Sequence, residues 1–171
     1  EINLLKKEKK FFLKELKPIY KSISMTRKKL KKEKSLISFI GAPWTLTVYM
    51  LNLKTDEDTL NLNSFKKHEG KLEEISNRLV EFLCIHIKEQ IEAGANLIQV
   101  FDSWAGLLPN NYLKPLCLDA NKKISDFCKS NKIPIICFPK GIKEKYKEFT
   151  EFVNSDGISL DYEIDPLWAK N

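Results

Sequence analysis

An α/β fold of alternating strands and helices is what this sequence predicts, and three observations predict it. Four short apolar runs recur along the chain: Leu36–Ile40, Leu97–Phe101, Ile133–Phe138 and Ile158–Leu160. Strands buried on both faces read as continuous apolar runs of this kind. Stretches with helical spacing of apolar residues separate the runs, and that alternation implies parallel strands joined by right-handed crossovers. Finally, the first two runs break off into small, aromatic and hydroxyl residues, Gly41-Ala42-Pro43 and Asp102-Ser103-Trp104-Ala105-Gly106. Loops that carry chemistry lie beyond the carboxyl ends of parallel strands, so both breaks are expected at the rim of one pocket. Four such units close neither a barrel nor a full doubly wound sheet, and periodicity alone leaves that choice open.

Taken in order, apolar residues recur at helical spacing from Ile2 to Leu16, and Pro18 is expected to interrupt them. A second helix is expected from Ile19 through Leu30, carried by Ile19, Ile23 and Leu30. After the first strand, Pro43 opens a helical pattern through Leu46, Tyr49, Met50 and Leu53. Thr55–Ser64 is polar and without clear period, which reads as a loop or a frayed insertion. Lys71–Ala93 is the clearest helix: Leu72, Ile75, Leu79, Phe82, Leu83, His86, Ile87 and Ile91 share one stripe, and Gly94 suits its left-handed stop. Pro109-Asn110 starts a helix in which Pro115 should begin a fresh segment or a kink. A helix over Lys143–Val153 then leads through Asn154–Gly157 into the last strand.

Length and composition bound the class. The chain has 171 residues, 43% hydrophobic and 30% charged, enough for one domain with a sizeable core. No apolar run approaches the roughly 20 residues that span a bilayer, and no signal-peptide pattern appears. The chain begins at Glu1, inside a helix-like pattern, and reads as a fragment of something longer. Cys84, Cys117, Cys128 and Cys137 form no CxxC pair, and three of them fall on the apolar side of expected helices or strands, so structural burial in a reducing cytoplasm is the favoured reading. Residues 1–34 carry 13 Lys and Arg against 4 Asp and Glu, whereas the remainder carries 16 against 19. A basic patch could hold nucleic acid or steer a polyanionic substrate; with aromatic interleaving and groove-reading motifs missing, this one reads as a solvated helix face.

The strand ends supply the candidate chemistry: Phe39, Gly41, Phe101, Asp102, Ser103, Phe138, Lys140 and Asp161. In a barrel all of them would point toward one face. Apolar walls with a few placed polar groups are the general recipe for a ligand pocket. Read from the residues alone, Tyr49 is a core aromatic with a satisfied hydroxyl, and Ser103 is a helix or turn cap. Asp102 and Asp161 could act as rim acids or bases, but capping a helix or anchoring a lysine such as Lys140 is the favoured reading. Trp44 and Trp104 read as packing residues near the rim. His68 is expected on the surface, and His86 as a hydrogen-bonded core residue. Neither histidine has a partner at metal-ligand spacing, so no metal site is expected.

Four ordered blocks then carry a resemblance. GAPWTLTVYM and FDSWAG resemble two central signatures of the uroporphyrinogen decarboxylase family in its alphaproteobacterial form. PIICFPKG and, more weakly, GISLDYEIDPLWA follow in the family's order and spacing. The blocks lie within residues 35–171, and Glu1–Lys34 is supported by position only. The resemblance implies that residues 1–171 form one domain, four consecutive β/α units of a (β/α)8 TIM barrel, incomplete at both ends. It implies cofactor-free removal of carboxylates from the acetate side chains of uroporphyrinogen to give coproporphyrinogen, by a cytoplasmic homodimer that needs neither membrane nor nucleic acid. Tyr49 and Ser103 would contact the tetrapyrrole, with Phe39 and Phe101 packing on its ring. The family's arginine loop, early-strand aspartate and late histidine would lie outside this chain, so its catalytic residues are left unassigned and the piece alone is expected to be inactive. Two departures touch loop geometry: Asn52-Leu53-Lys54-Thr55 replaces a glycine-rich run, and Tyr162 replaces a tryptophan. Two other readings remain, a zinc-dependent cobamide methyltransferase on the same barrel and a non-catalytic basic fragment.

Overall fold

The structure, a computed structural model, describes residues 9–170. Its centre is a four-stranded sheet, all parallel, in the order β1-β2-β3-β4. The strands are β1 (Ile37–Gly41), β2 (Leu97–Asp102), β3 (Ile135–Pro139) and the short β4 (Gly157–Ile158). Sequential order without reversal is the singly wound pattern of a barrel wall; a doubly wound sheet would reverse its order partway.

Burial alternates residue by residue and tells the two faces apart. Ser38, Ile40, Ile98, Val100, Asp102, Ile135, Cys137 and Pro139 are buried on the helix-covered side. Their neighbours Ile37, Phe39, Gln99, Phe101, Ile136 and Phe138 look the other way and are half-buried or exposed. Register aligns Phe39 with Gln99, and Phe101 with Phe138, so each face is a set of level rows.

The helical layer is built by the expected stripes. Helix α4 (Leu72–Glu92) buries Leu72, Ile75, Leu79, Phe82, Leu83 and Ile87, each worth about 1.5–3 kcal/mol when fully covered. Past its end Gly94 takes φ 115° as predicted, and a Cβ there would stand 2.8 Å from Arg27 Cγ. Helix α2 (Pro43–Leu51) starts with proline, whose missing N–H is no loss in the first turn, and stops at Asn52 in the left-handed region. Around Pro115 the helix relaxes: α5 (Asn110–Leu113) passes through a π-helical stretch, Lys114–Leu118, into α6 (Asp119–Ser130). A ring without an N–H is accommodated by that local widening. Helix α7 (Tyr146–Val153) follows a 3-10 turn over Lys143–Lys145, and α8 (Pro166–Lys170) closes the described chain.

Two expectations fail. Pro18 does not interrupt anything: α1 runs unbroken over Lys9–Lys29. Its half-buried stripe, Phe12, Leu16, Tyr20, Ile23 and Arg27, crosses the proline, which itself faces solvent. Packing of that stripe outweighs a single lost hydrogen bond. The expected helical residues 2–8 lie outside the described residues. Second, the polar stretch Thr55–Ser64 is no simple loop. It folds back through a bridge between Lys54 and Leu60 and enters α3 (Leu62–His68), whose first turn is capped by Asn61 Oδ1 accepting from the Ser64 N–H.

Arg27 explains part of the basic segment. Its guanidinium donates to the carbonyls of Leu30, Lys31 and Lys34 and to Asn96 Oδ1, tying the end of α1 to the turn before β2. No described helix is long and apolar enough to cross a membrane.

Candidate functional site

On the face away from the helices, phenylalanines from three strands form a continuous row. Phe39 meets Phe101 edge-on with ring centres 5.8 Å apart, and Phe101 meets Phe138 likewise at 6.2 Å. Both separations lie in the range favoured by aromatic pairs. Phe39 is 66% exposed, and Phe101 and Phe138 are half-buried, so among the described residues the row is open at its β1 end. Beside it Gln99 Nε2 donates to Ser159 Oγ at 2.9 Å, adding a polar step beyond β3.

The rim above β2 is held by α2. Trp104, which follows Ser103, receives a hydrogen bond from Trp44 Nε1 on its carbonyl at 2.8 Å. Its own N–H donates to Thr45 Oγ1 at 3.3 Å. One turn further along α2, Tyr49 is 59% exposed and rests edge-on against the Trp104 ring, centres 6.2 Å apart. Lys54 Nζ lies 4.9 Å from the centre of the same ring. At the next strand end the loops touch through backbone: Gly106 N–H donates to the Lys140 carbonyl, and a Cβ on Gly106 would stand 2.7 Å from the Gly141 oxygen.

The acids do not join this face. Asp102 was expected on the inner side with Phe101, but strand alternation turns it toward the helices, where it is 1% exposed. Its oxygens accept from Thr45 Oγ1 at 2.9 Å and from Asn121 Nδ2 at 3.2 Å. Desolvation pushes its pKa up to about 6, against those donors. Asp161 accepts from the Gly141 N–H at 2.8 Å and the Tyr146 hydroxyl at 3.0 Å, fixing the turn after β3. It anchors a backbone amide and a tyrosine, not Lys140. Both acids thus take structural places.

A groove of about 880 Å³ runs along the edge of β1 that no described strand pairs, between α1, α2 and α4. Phe12, Leu16, Ile23, Phe82, Phe39 and Met50 make it strongly apolar. Phe39 borders it, but Phe101, Ser103 and Tyr49 do not, so it is separate from the aromatic wall. His86 lies on its floor as a hydrogen-bonded residue, its Nδ1 2.9 Å from the Tyr20 hydroxyl, and burial lowers its pKa to about 4. Burial raises Tyr20 to about 12. Buried Gln90 meets Ser38 through Oε1, while its Nε2 has no partner among the described residues.

The structure therefore brings Phe39 and Phe101 together and sets Tyr49 against the residue after Ser103. Thr45, Asn121 and Gln90 went unpredicted; the available signal was a polar residue standing on an otherwise apolar helical stripe. His68 is half-buried rather than exposed. Cys117, Cys128 and Cys137 are buried and Cys84 is half-buried, all as free thiols. Burial pushes Cys84 up to about 11 and both Cys128 and Cys137 up to about 12, away from reactive thiolate. Among the described residues no three His, Cys, Asp or Glu side chains stand together in a way that could hold a metal ion.

Comparison with known proteins agrees with this architecture. The family model described as Uroporphyrinogen decarboxylase (URO-D) matches residues 1–171. The chain is 40% identical over 150 residues to the uroporphyrinogen decarboxylase of Orientia tsutsugamushi (strain Ikeda), covering 85% of this chain and 44% of that one. It is 39% identical over 149 residues to that of Rickettsia bellii (strain RML369-C), covering 85% and 44%. With the enzyme of Wolbachia sp. subsp. Brugia malayi (strain TRS) it shares 37% over 158 residues, covering 90% and 44%. The chain thus spans less than half the length of these relatives. A four-strand barrel wall, rim motifs in the right order and a match along all its residues have one conclusion: the chain belongs to the uroporphyrinogen decarboxylase family.

Proposed function

We propose that this chain supplies part of the tetrapyrrole pocket of a uroporphyrinogen decarboxylase, which removes carboxylates from acetate side chains to give coproporphyrinogen. The observation that carries this reading is the row Phe39-Phe101-Phe138 on the sheet face away from the helices, beside a rim bearing Ser103 and Tyr49. A flat macrocycle presents apolar faces and an acidic fringe. The phenylalanine wall suits the first, and the hydroxyls of Ser103 and Tyr49 are donors for the second.

In this role the chain binds and orients, while proton transfer falls to groups elsewhere in the polypeptide. Asp102 faces the helices and Asp161 is committed to Gly141 and Tyr146, so neither is placed to protonate a pyrrole. The chemistry needs no cofactor, since a protonated pyrrole ring can itself take up the electrons left by departing carbon dioxide. The working form is a homodimer in the cytoplasm, an expectation drawn from the family resemblance. The test is an assay of the full-length polypeptide for coproporphyrinogen, with Phe101→Ala and Ser103→Ala variants. Product from the unaltered protein and at least a tenfold loss in kcat/KM for each variant are expected. No product beside a competent control overturns the reading.

A further inference from the structure

We propose that Asp102 is a positioning residue whose buried carboxylate fixes the first turn of α2 to the end of β2 and so sets Tyr49 relative to the Ser103 loop. The inference rests on the reading of Tyr49 and Ser103 as substrate contacts, but its geometry stands independently.

Two helices converge on this carboxylate. From α2, Thr45 donates its hydroxyl at 2.9 Å. From α6, Asn121 Nδ2 donates at 3.2 Å while also reaching the Cys117 carbonyl at 2.9 Å. Helix α2 has Ala42 before it and no side-chain cap of its own. A carboxylate from β2, held through the Thr45 hydroxyl, instead stands at the first turn, near the positive end of the helix.

Thr45 passes the constraint on. The hydroxyl that donates to Asp102 accepts from the Trp104 N–H, while the preceding residue, Trp44, donates to the Trp104 carbonyl. Consecutive residues of α2 thus grip both polar ends of Trp104, next to Ser103. Tyr49 lies four residues after Thr45, on the same helical face, with its ring against Trp104. Neutral packing would not need a charge here, and burying one costs stability. An amide at this position would turn a donor toward Thr45 or Asn121. The titratable groups facing Asp102 among the described residues are the Cys117 and Cys137 thiols, both held protonated by burial.

The experiment is an NMR titration of this chain between pH 4 and 8, following the Asp102 carboxyl carbon, the Trp104 amide and the Tyr49 ring. The expected result is one shared midpoint near 6 for all three signals. Thr45→Val should leave the carboxyl titrating and disconnect Trp104 and Tyr49 from it; Thr45→Ser should restore the connection. Trp104 and Tyr49 signals that ignore the carboxyl, or that follow it unchanged in Thr45→Val, overturn the proposal. A parallel arm measures quenching of tryptophan fluorescence by coproporphyrin, where Thr45→Val should weaken affinity about tenfold and Thr45→Ser recover it. Failure of the unaltered chain to quench counts against the pocket reading, whereas unchanged affinity in Thr45→Val counts against positioning.

Discussion

The two faces of the sheet are made from the same four strands yet obey different rules. Toward the helices, Ile98, Val100, Ile135 and Cys137 are fully buried, and the polar groups among them, Ser38, Asp102 and Gln90, engage partners. Away from the helices, Phe39 stands 66% exposed at the β1 end of a row of aromatic rings. The first face holds this chain together. The second contributes little to its stability, so its large apolar side chains call for another explanation. Large exposed apolar patches mark binding surfaces.

Matched deletions break that comparison most directly. Phe149→Ala, under the helical layer at 0% exposure, should cost about 3–5 kcal/mol in urea denaturation. Phe39→Ala should cost under about 1 kcal/mol in the same measurement. Equal losses would mean that the faces are not energetically distinct.

Next in size is a pH effect confined to the helical side. The folded Asp102 holds its proton up to about 6, above the ordinary carboxyl value. Its contribution is therefore fully present below the unfolded value and is lost as pH rises through 6. His86 runs oppositely: with its folded value near 4, its contribution is full above the unfolded value and is lost as pH falls toward 4. Asp102→Asn should raise the difference in unfolding free energy between pH 7 and pH 4 by roughly 2–3 kcal/mol, relative to the unaltered chain. His86→Phe should change that difference in the opposite direction. An unchanged profile in both variants would place the titrating groups elsewhere.

Smaller effects sharpen the picture at the rim and on the surface. Gly106→Ala forces the β2 and β3 loops apart and should cost about 1–3 kcal/mol by thermal melting, since the clash is with backbone. Lys122→Ala removes an exposed ion pair with Asp126 at 3.0 Å and should cost no more than about 0.5 kcal/mol.

How far the sequence could be read depended on whether a residue obeyed a period. The four apolar runs and the α4 stripe predicted their elements within a few residues, because burial on one side leaves a repeating trace. Pro18 misled because a local rule about one residue was set against a stripe of five packed side chains. Helix α3 was missed because seven residues with only Phe65 buried leave almost no pattern, although Asn61 three residues before Ser64 was a usable capping signal. Asp102 was placed on the wrong face although period-two alternation from Phe101 already assigned it to the helices. Its partners Thr45 and Asn121 were out of reach of pattern reading, since contacts across 57 and 19 residues leave no local mark.

The edge of β1, which no described strand pairs, has a consequence for how the chain behaves in a tube. Its outward row of peptide groups is a template on which another strand can grow, next to an apolar trench. Close by stands the cationic end of α1, with Arg27, Lys28 and Lys29. Like charge should keep molecules apart in dilute buffer, and added salt should weaken that repulsion within a Debye length of about 10 Å at 0.1 M. Purified chain should therefore stay clear at low ionic strength and turn cloudy as sodium chloride is raised.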